Sequence, residues 1–391
     1  MNTVVSLKSP NVRVTFLVEV PENTNSTIYM TGNHPKLKNW DPKGCPLKNV
    51  APGRYQTSII LPKDTYLQYK FTRGDWNTVE KNEEFHDRPN RSLLVKQGRV
   101  INLKIDNWGD MGQPNPAKKH TICGNIQTHK NFKATKLNNK RTIWVYLPPG
   151  YEKNTNQHYP VLYTHDGNNV FDKATAFLGV EWELDETAEK LIKEKKIREI
   201  IIVAIENNSQ RDREYTHVYV PNQGGGKADL YADFIINDLK PFIDTKYRTL
   251  KDRQYTGIMG SSLGGLVSLY IAWKYSKVFS MAGVVSPSVW WDNRDILKMV
   301  KKSRSKPPIK IWLDIGMMEG YEINGINMAV RDTRALRDAL IAKGFRLHDD
   351  LEYMEDEEGE HNEASWAKRV DKILLYFFGA KFRTSRKVSY A

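Results

Sequence analysis

Two hydrophobic patterns divide this chain. Up to about residue 107 apolar positions alternate with polar ones: Val12-Arg13-Val14-Thr15-Phe16-Leu17-Val18-Glu19-Val20 has the period of two that turns one face of a strand into a core. Thr27–Thr31, Tyr55–Leu61, Tyr66–Thr72, Ser92–Val95 and Val100–Ile105 are further strand candidates between clusters of Pro, Gly, Asn and Asp. Short strands at this spacing predict a small all-β, immunoglobulin-like sandwich over residues 1–107. Asp106–Pro116 is rich in turn formers, which predicts a linker at 108–118. From residue 119 the period changes. Thr142–Leu147, Val161–His165, Ile200–Ile205, Gln254–Met259, Met281–Val285 and Ile309–Ile315 read as buried strands. Helical spacing fills Leu184–Lys195, Ala228–Thr245, Leu263–Tyr275, Asn327–Lys343 and Glu363–Phe378. Strands alternating with helices predict an α/β domain over 119–380 with a mostly parallel central sheet covered on both faces, followed by a basic tail at 381–391.

The bulk numbers change this picture little. The 391 residues are 40% hydrophobic and 27% charged, ordinary for globular protein. No apolar run approaches the roughly 20 residues of a membrane span. Met1–Pro10 lacks a charged-then-apolar signal pattern, so a cytoplasmic protein is expected unless an export signal has been removed, in which case it is secreted or periplasmic. The net charge is +13. Much of the excess is local, in Lys118, Lys119, Lys130, Lys133, Lys136, Lys140 and Arg141, and in Lys381, Arg383, Arg386 and Lys387. No nucleic-acid motif accompanies either cluster, so both read as solvated surface and nucleic acid is not an expected partner. Cys45 and Cys123 lack metal-ligand spacing and a nearby base, which predicts two free, partly buried thiols. The sequence calls for no cofactor and no metal.

The candidate chemistry begins at Gly260-Ser261-Ser262-Leu263-Gly264, a G-x-S-x-G pattern after an apolar run and ahead of the run Leu263–Trp273, read as an amphipathic helix. A serine on a sharp strand-to-helix turn needs small neighbours, and the helix N-terminus aims N–H groups at negative charge developing beside it. Ser262 needs a base, and the base needs a group to orient it. In an α/β-hydrolase these follow in the order Ser, acid, His. Glu319, three residues past the strand-end Gly316, is the candidate acid, with Asp314 and Glu322 competing. His361, just before the last helix, is the candidate base; His348 is expected in a strand facing solvent. Oxyanion donors are expected from the Leu263 N–H and from the Gly167 or Asn168 N–H, on the turn after Val161–His165. Asp166, Trp182, Arg213, Trp290 and Trp291 are candidate substrate contacts, Arg213 with a structural role as the alternative.

These residues resemble the enterochelin-esterase/esterase D family of α/β-hydrolases, which includes feruloyl, acetyl xylan and siderophore esterases and mycolyltransferases. The resemblance runs through Val145–Tyr151, His165–Asp172, Arg213-Glu214-Tyr215, Gly260–Gly265, Ser286-Pro287-Ser288 and His361–Trp366. It implies a Ser262–Glu319–His361 triad; Asn168 stands where a glutamine is expected. The N-terminal domain is similar to a starch-binding-type carbohydrate-binding module through Phe16–Val18, Gly32-Asn33, Asn39–Asp41, Tyr69–Gly74 and Asn90-Arg91. Trp40, Lys70 and Asn90 fall on glycan-contact positions, while the second tryptophan is missing and Trp76 is the substitute. The function implied is a serine carboxylic ester hydrolase acting on a carbohydrate-linked, hydroxycinnamoyl or siderophore-type ester, with polysaccharide as a further partner of the first domain. The alternatives are acyl transfer to a sugar hydroxyl and a non-catalytic carbohydrate-binding protein.

Overall fold

A computed structural model describes residues 10–83, 85, 88, 90–111, 120–221, 223–320, 322, 323 and 326–379. The chain divides into two compact units, Met1–Lys118 and Lys119–Ala391.

In the first unit, Lys48–Ala51, Arg54–Pro62, Asn11–Glu19 and Arg99–Lys104 form one four-stranded sheet, and Cys45–Pro46, Tyr29–Gly32, Thr65–Thr72 and Arg91–Val95 form another. The alternation of apolar residues explains the packing: Val14, Phe16 and Val18 from one sheet and Met30, Leu67 and Phe71 from the other are buried in a single cluster. Trp108, expected at the start of the linker, is buried in that cluster instead, and its indole N–H donates to Thr24 Oγ1 at 2.9 Å. Met111 packs on the same cluster, so the first unit extends at least that far. The rest of the expected linker, 112–118, and the basic tail 381–391 lie outside the described residues.

The second unit is organised by an eight-stranded sheet. Its strands are β1 (Asn125–Ala134), β2 (Asn139–Leu147), β3 (Val161–Thr164), β4 (Ile201–Ile205), β5 (Thr256–Ser261), β6 (Met281–Val285), β7 (Lys310–Gly316) and β8 (Leu351–Asp356). They lie in the order β1-β2-β4-β3-β5-β6-β7-β8. β1 and β2 pair antiparallel, as do β2 and β4, and all other pairs are parallel. Because both faces are covered, the inner strands are almost continuously apolar. Val161, Tyr163, Ile201 and Val203 enter the core on one face, and Leu162, Ile202 and Ala204 the core on the other.

Several local expectations change. The helix Leu263–Lys274 is not amphipathic: every residue from Leu263 to Trp273 is buried, because elements pack around it on all sides. The stretch Ala228–Lys246 passes through a π-helical turn at Phe234–Leu239 ahead of Pro241, which has no N–H to give to a regular ladder. His348 sits in a turn with φ 62°, not in a strand, and is exposed. The basic run is not all solvated. Arg141 is buried against Glu214 at 2.9 Å, whereas Lys136 is exposed and pairs with Asp233 at 2.7 Å on the surface.

The strand order sets the functional end. β3 and β5 are parallel neighbours, yet the chain leaves β3 for β4 on one side and β5 for β6 on the other. Loops diverging from adjacent C-terminal strand ends open a crevice there. The Gly167 turn follows the end of β3 after His165 and Asp166, and Ser262 is the first residue past the end of β5.

Candidate active site

Ser262 is held in a strained turn. Its φ and ψ are 58° and −121°, a conformation that costs an L-residue about 1–3 kcal/mol. Neighbouring bonds over-determine it: the Ser262 N–H donates to Val285 O at 3.0 Å, and its carbonyl accepts from Leu266 N–H at 3.1 Å and Ser288 N–H at 3.0 Å. Gly260 is needed for a steric reason. A Cβ there would lie 2.8 Å from His165 Cδ2 and 2.9 Å from the Gly264 carbonyl carbon. Leu263 is the first residue of the helix, so its N–H has no intrahelical acceptor.

Ser262 Oγ and His361 Nε2 are 2.9 Å apart, and His361 Nδ1 and Glu319 Oε2 are 2.7 Å apart. Ser262 is half-buried, Glu319 is buried and His361 is exposed at the rim. The imidazole stands edge-on to the Trp366 ring, centroids 5.1 Å apart. Glu319 Oε1 accepts from the Gly316 N–H at 2.8 Å and from the Ser286 hydroxyl. Burial alone would push this carboxyl up. The hydrogen bond and charge of His361, the Ser286 hydroxyl and the Arg369 guanidinium outweigh it and hold Glu319 below the usual carboxylate range.

Asp314 faces elsewhere. Its oxygens accept from Trp312 Nε1 at 2.6 Å and the Ser286 N–H at 3.1 Å, and Oδ1 lies 3.2 Å from Arg369 Nη1. Burial raises it to about 6 against the pull of Arg369. The Glu322 side chain lies outside the described residues.

Sequence reasoning misses the supporting residues. Arg369 is buried between Asp314 and Glu319, 3.5 Å from Glu319 Oε1, and it and Trp366 each donate to Ser286 Oγ at 3.0 Å. Ser288 Oγ lies 3.1 Å from Ser262 Oγ. The Ser286-Pro287-Ser288 pattern points to this loop; nothing local marks Arg369.

The Gly167–Asn169 turn is anchored from below. Asp166, expected to contact substrate, is buried in a left-handed conformation and forked by Arg211, Nε to Oδ1 at 2.7 Å and Nη2 to Oδ2 at 2.8 Å, with Asn207 adding a third bond at 2.6 Å. It therefore fixes the turn. Gly167 is a glycine because a Cβ would meet the β4 backbone at Ala204 and Ile205 at 2.6 Å. The Asn168 side chain donates to Asn169 Oδ1, and Asn169 in turn donates to Glu363 Oε1 at 3.0 Å, which ties this turn to the His361 loop. Arg213 is exposed on Gln210 rather than at the crevice; Arg211, two residues earlier, is the arginine that matters to it.

The tryptophans separate. Trp182 is buried against Trp366, and Trp291 is buried with its indole N–H on Val218 O at 3.0 Å, so neither presents a face to a ligand. Trp290 is 54% exposed. In the first unit Trp76 is 43% exposed, Trp40 is half-buried and Asn90 is exposed. Lys70 is buried, with its ammonium donating to the Arg88 carbonyl, so it is less available than its position suggests. Cys45 and Cys123 are both free and half-buried.

The strand order and the serine on its strained turn define an α/β-hydrolase. Residues 134–377 match the family model described as "Putative esterase", and the chain belongs to that family. Residues 11–104 match the starch binding domain. The ferri-bacillibactin esterase of Bacillus subtilis is 27% identical over 54% of this chain and 77% of its own. The endo-1,4-beta-xylanase/feruloyl esterase of Xylanibacter ruminicola is 24% identical over 67% of this chain and 32% of its own. The solved enterobactin esterase of Shigella flexneri shares the fold at a TM-score of 0.52 and 14% identity, covering 95% of this chain and 94% of that one. The protein is thus a carboxylic ester hydrolase carrying a starch-binding-type domain.

Proposed function

We propose that the protein is a serine esterase whose nucleophile is Ser262, whose general base is His361 and whose orienting acid is Glu319. The observation that carries this reading is the continuous relay from Ser262 Oγ to His361 Nε2 at 2.9 Å and from His361 Nδ1 to Glu319 Oε2 at 2.7 Å. An ionised Glu319 only accepts hydrogen bonds, so it keeps the imidazole proton on Nδ1 and leaves Nε2 free to take the Ser262 proton. Ser262 Oγ attacks the ester carbonyl. The oxyanion is met by the Leu263 N–H and an N–H of the Gly167-Asn168 turn, each such donor contributing about 3–4 kcal/mol to the transition state. Imidazolium then protonates the departing alcohol, and water, activated by the same imidazole, cleaves the acyl-enzyme.

The substrate class proposed is a carbohydrate-linked, hydroxycinnamoyl or catechol-type siderophore ester. Support comes from the exposed Trp290, two residues beyond Ser288, and from the ferri-bacillibactin and feruloyl esterase relatives. Polysaccharide is proposed as the ligand of the first unit through Trp40 and Trp76.

The test is turnover of p-nitrophenyl acetate, methyl ferulate and a catecholate trilactone by wild type and Ser262→Ala. Activity that vanishes in the variant supports the mechanism, and the preferred ester selects the class. A folded Ser262→Ala that still turns over would refute it. For the first unit, soluble starch should retard wild type in an affinity gel, and Trp40→Ala with Trp76→Ala should abolish the retardation.

A further inference from the structure

The segment that follows the Gly167 turn brings three carboxylates together. Glu181 lies just ahead of the helix Leu184–Lys193, and Asp185 and Glu186 stand in its first turn. One oxygen from each lies within 4.8 Å of the other two. Glu181 is 2% exposed and Asp185 0%. Each carboxylate is also incompletely satisfied: Glu181 Oε2, Asp185 Oδ1 and Glu186 Oε2 are buried without a hydrogen-bond partner. The opposite oxygens are held. Thr121 Oγ1 donates to Glu181 Oε1, and the Cys123 N–H donates to Asp185 Oδ2 at 2.7 Å. Two lysines close in sequence are engaged with other acids, Lys173 with Glu183 at 3.5 Å and Lys193 with Glu189 at 3.0 Å.

Buried, unpaired carboxylate oxygens are unfavourable one at a time, and three together repel. We infer that Glu181, Asp185 and Glu186 bind a hard divalent cation of the calcium type. The donors are all oxygen, the ligand set of calcium, magnesium and manganese rather than of zinc or copper. Oxygens on one calcium ion sit roughly 2.4 Å from it and hence no more than about 4.8 Å apart, a limit these three respect. Water would complete the coordination. The cation would clamp the Thr121–Cys123 segment, the end of the loop from Gly167 and the following helix. That loop also donates from the Trp182 N–H to Asn169 O at 2.9 Å, so the clamp braces the turn assigned above to the oxyanion. Binding itself does not depend on the esterase mechanism.

The test uses the full chain stripped with EDTA. Calorimetric titration with CaCl2, and separately with MgCl2 and MnCl2, should show one ion bound per chain. The thermal midpoint should rise by about 3–5 °C at roughly 100 times Kd. Glu186→Gln, at the half-buried position, should weaken binding at least tenfold without lowering the midpoint of the stripped protein, since it removes a carboxyl from a crowded acidic cluster. Asp185→Asn should abolish binding. The inference is overturned if the stripped wild type takes up none of the three ions and its midpoint does not move, leaving the carboxyls to share protons. It is equally overturned if both variants bind as tightly as wild type, since the ion then sits elsewhere.

Discussion

Replacing Glu319 by glutamine preserves shape and removes only charge, and the structure dictates how the new amide must lie. Glu319 Oε1 faces donors, the Gly316 N–H at 2.8 Å, the Ser286 hydroxyl and Arg369 Nη2 at 3.5 Å. The amide oxygen must therefore take that position, which turns the NH2 toward His361 Nδ1, 2.7 Å from the atom it replaces. Two donors cannot face each other, so the imidazole proton moves to Nε2. That nitrogen then points an N–H at Ser262 Oγ and can no longer accept its proton. Loss of the correct tautomer lowers kcat by about 10⁴, or ~5.5 kcal/mol of transition-state stabilisation. Stability should fall far less, because Arg369 keeps Asp314 at 3.2 Å. The assay is steady-state hydrolysis of p-nitrophenyl acetate, with the thermal midpoint measured on the same samples. A well-folded Glu319→Gln enzyme within tenfold of wild-type kcat would refute the argument, because an acid that only fills space is replaced by its isostere without loss.

Other expectations follow from the same geometry. Ser262→Gly and Ser262→Ala should both be inactive, but the glycine variant should be more stable by about 1–3 kcal/mol, since only it relieves the φ of 58°; equal denaturation midpoints would remove the case for strain. Gly260→Ala should lower stability by about 3 kcal/mol or more, its Cβ meeting backbone at 2.9 Å, whereas Gly264→Ala meets nothing nearer than 3.4 Å and should be close to neutral in the same melts. Burial drives the His165 imidazole down to about 3, so the unfolded chain binds more protons there between about pH 6.5 and 3. Stability contributed by this neutral histidine is complete above pH 6.5 and falls by up to about 1.4 kcal/mol per pH unit below it. His165→Gln should flatten that part of the midpoint-against-pH curve, and an unchanged slope would assign the acid sensitivity to other groups.

Local pattern determined a great deal here. The runs Val161–Tyr163, Ile201–Ile205 and Met281–Val285 are apolar throughout because both faces of each strand are covered, so the sequence alone announces a parallel sheet. Ser262, Glu319 and His361 can be picked from a turn motif, a strand end and the order along the chain. Tertiary structure decided the rest, because it depended on contacts between residues remote in sequence or on which way a side chain turned. The edge strands Asn125–Ala134 and Leu351–Asp356 are rich in polar residues, since each has a neighbour on one side only, and their pattern does not announce a strand. Trp290 and Trp291 are adjacent and chemically identical, yet backbone geometry buries one and exposes the other. Arg211 beneath Asp166, Arg369 beneath Glu319 and the convergence of Glu181, Asp185 and Glu186 carry no local signal. A charged side chain reads as surface until the fold buries it beside another charge, and that pairing is a property of the packed chain.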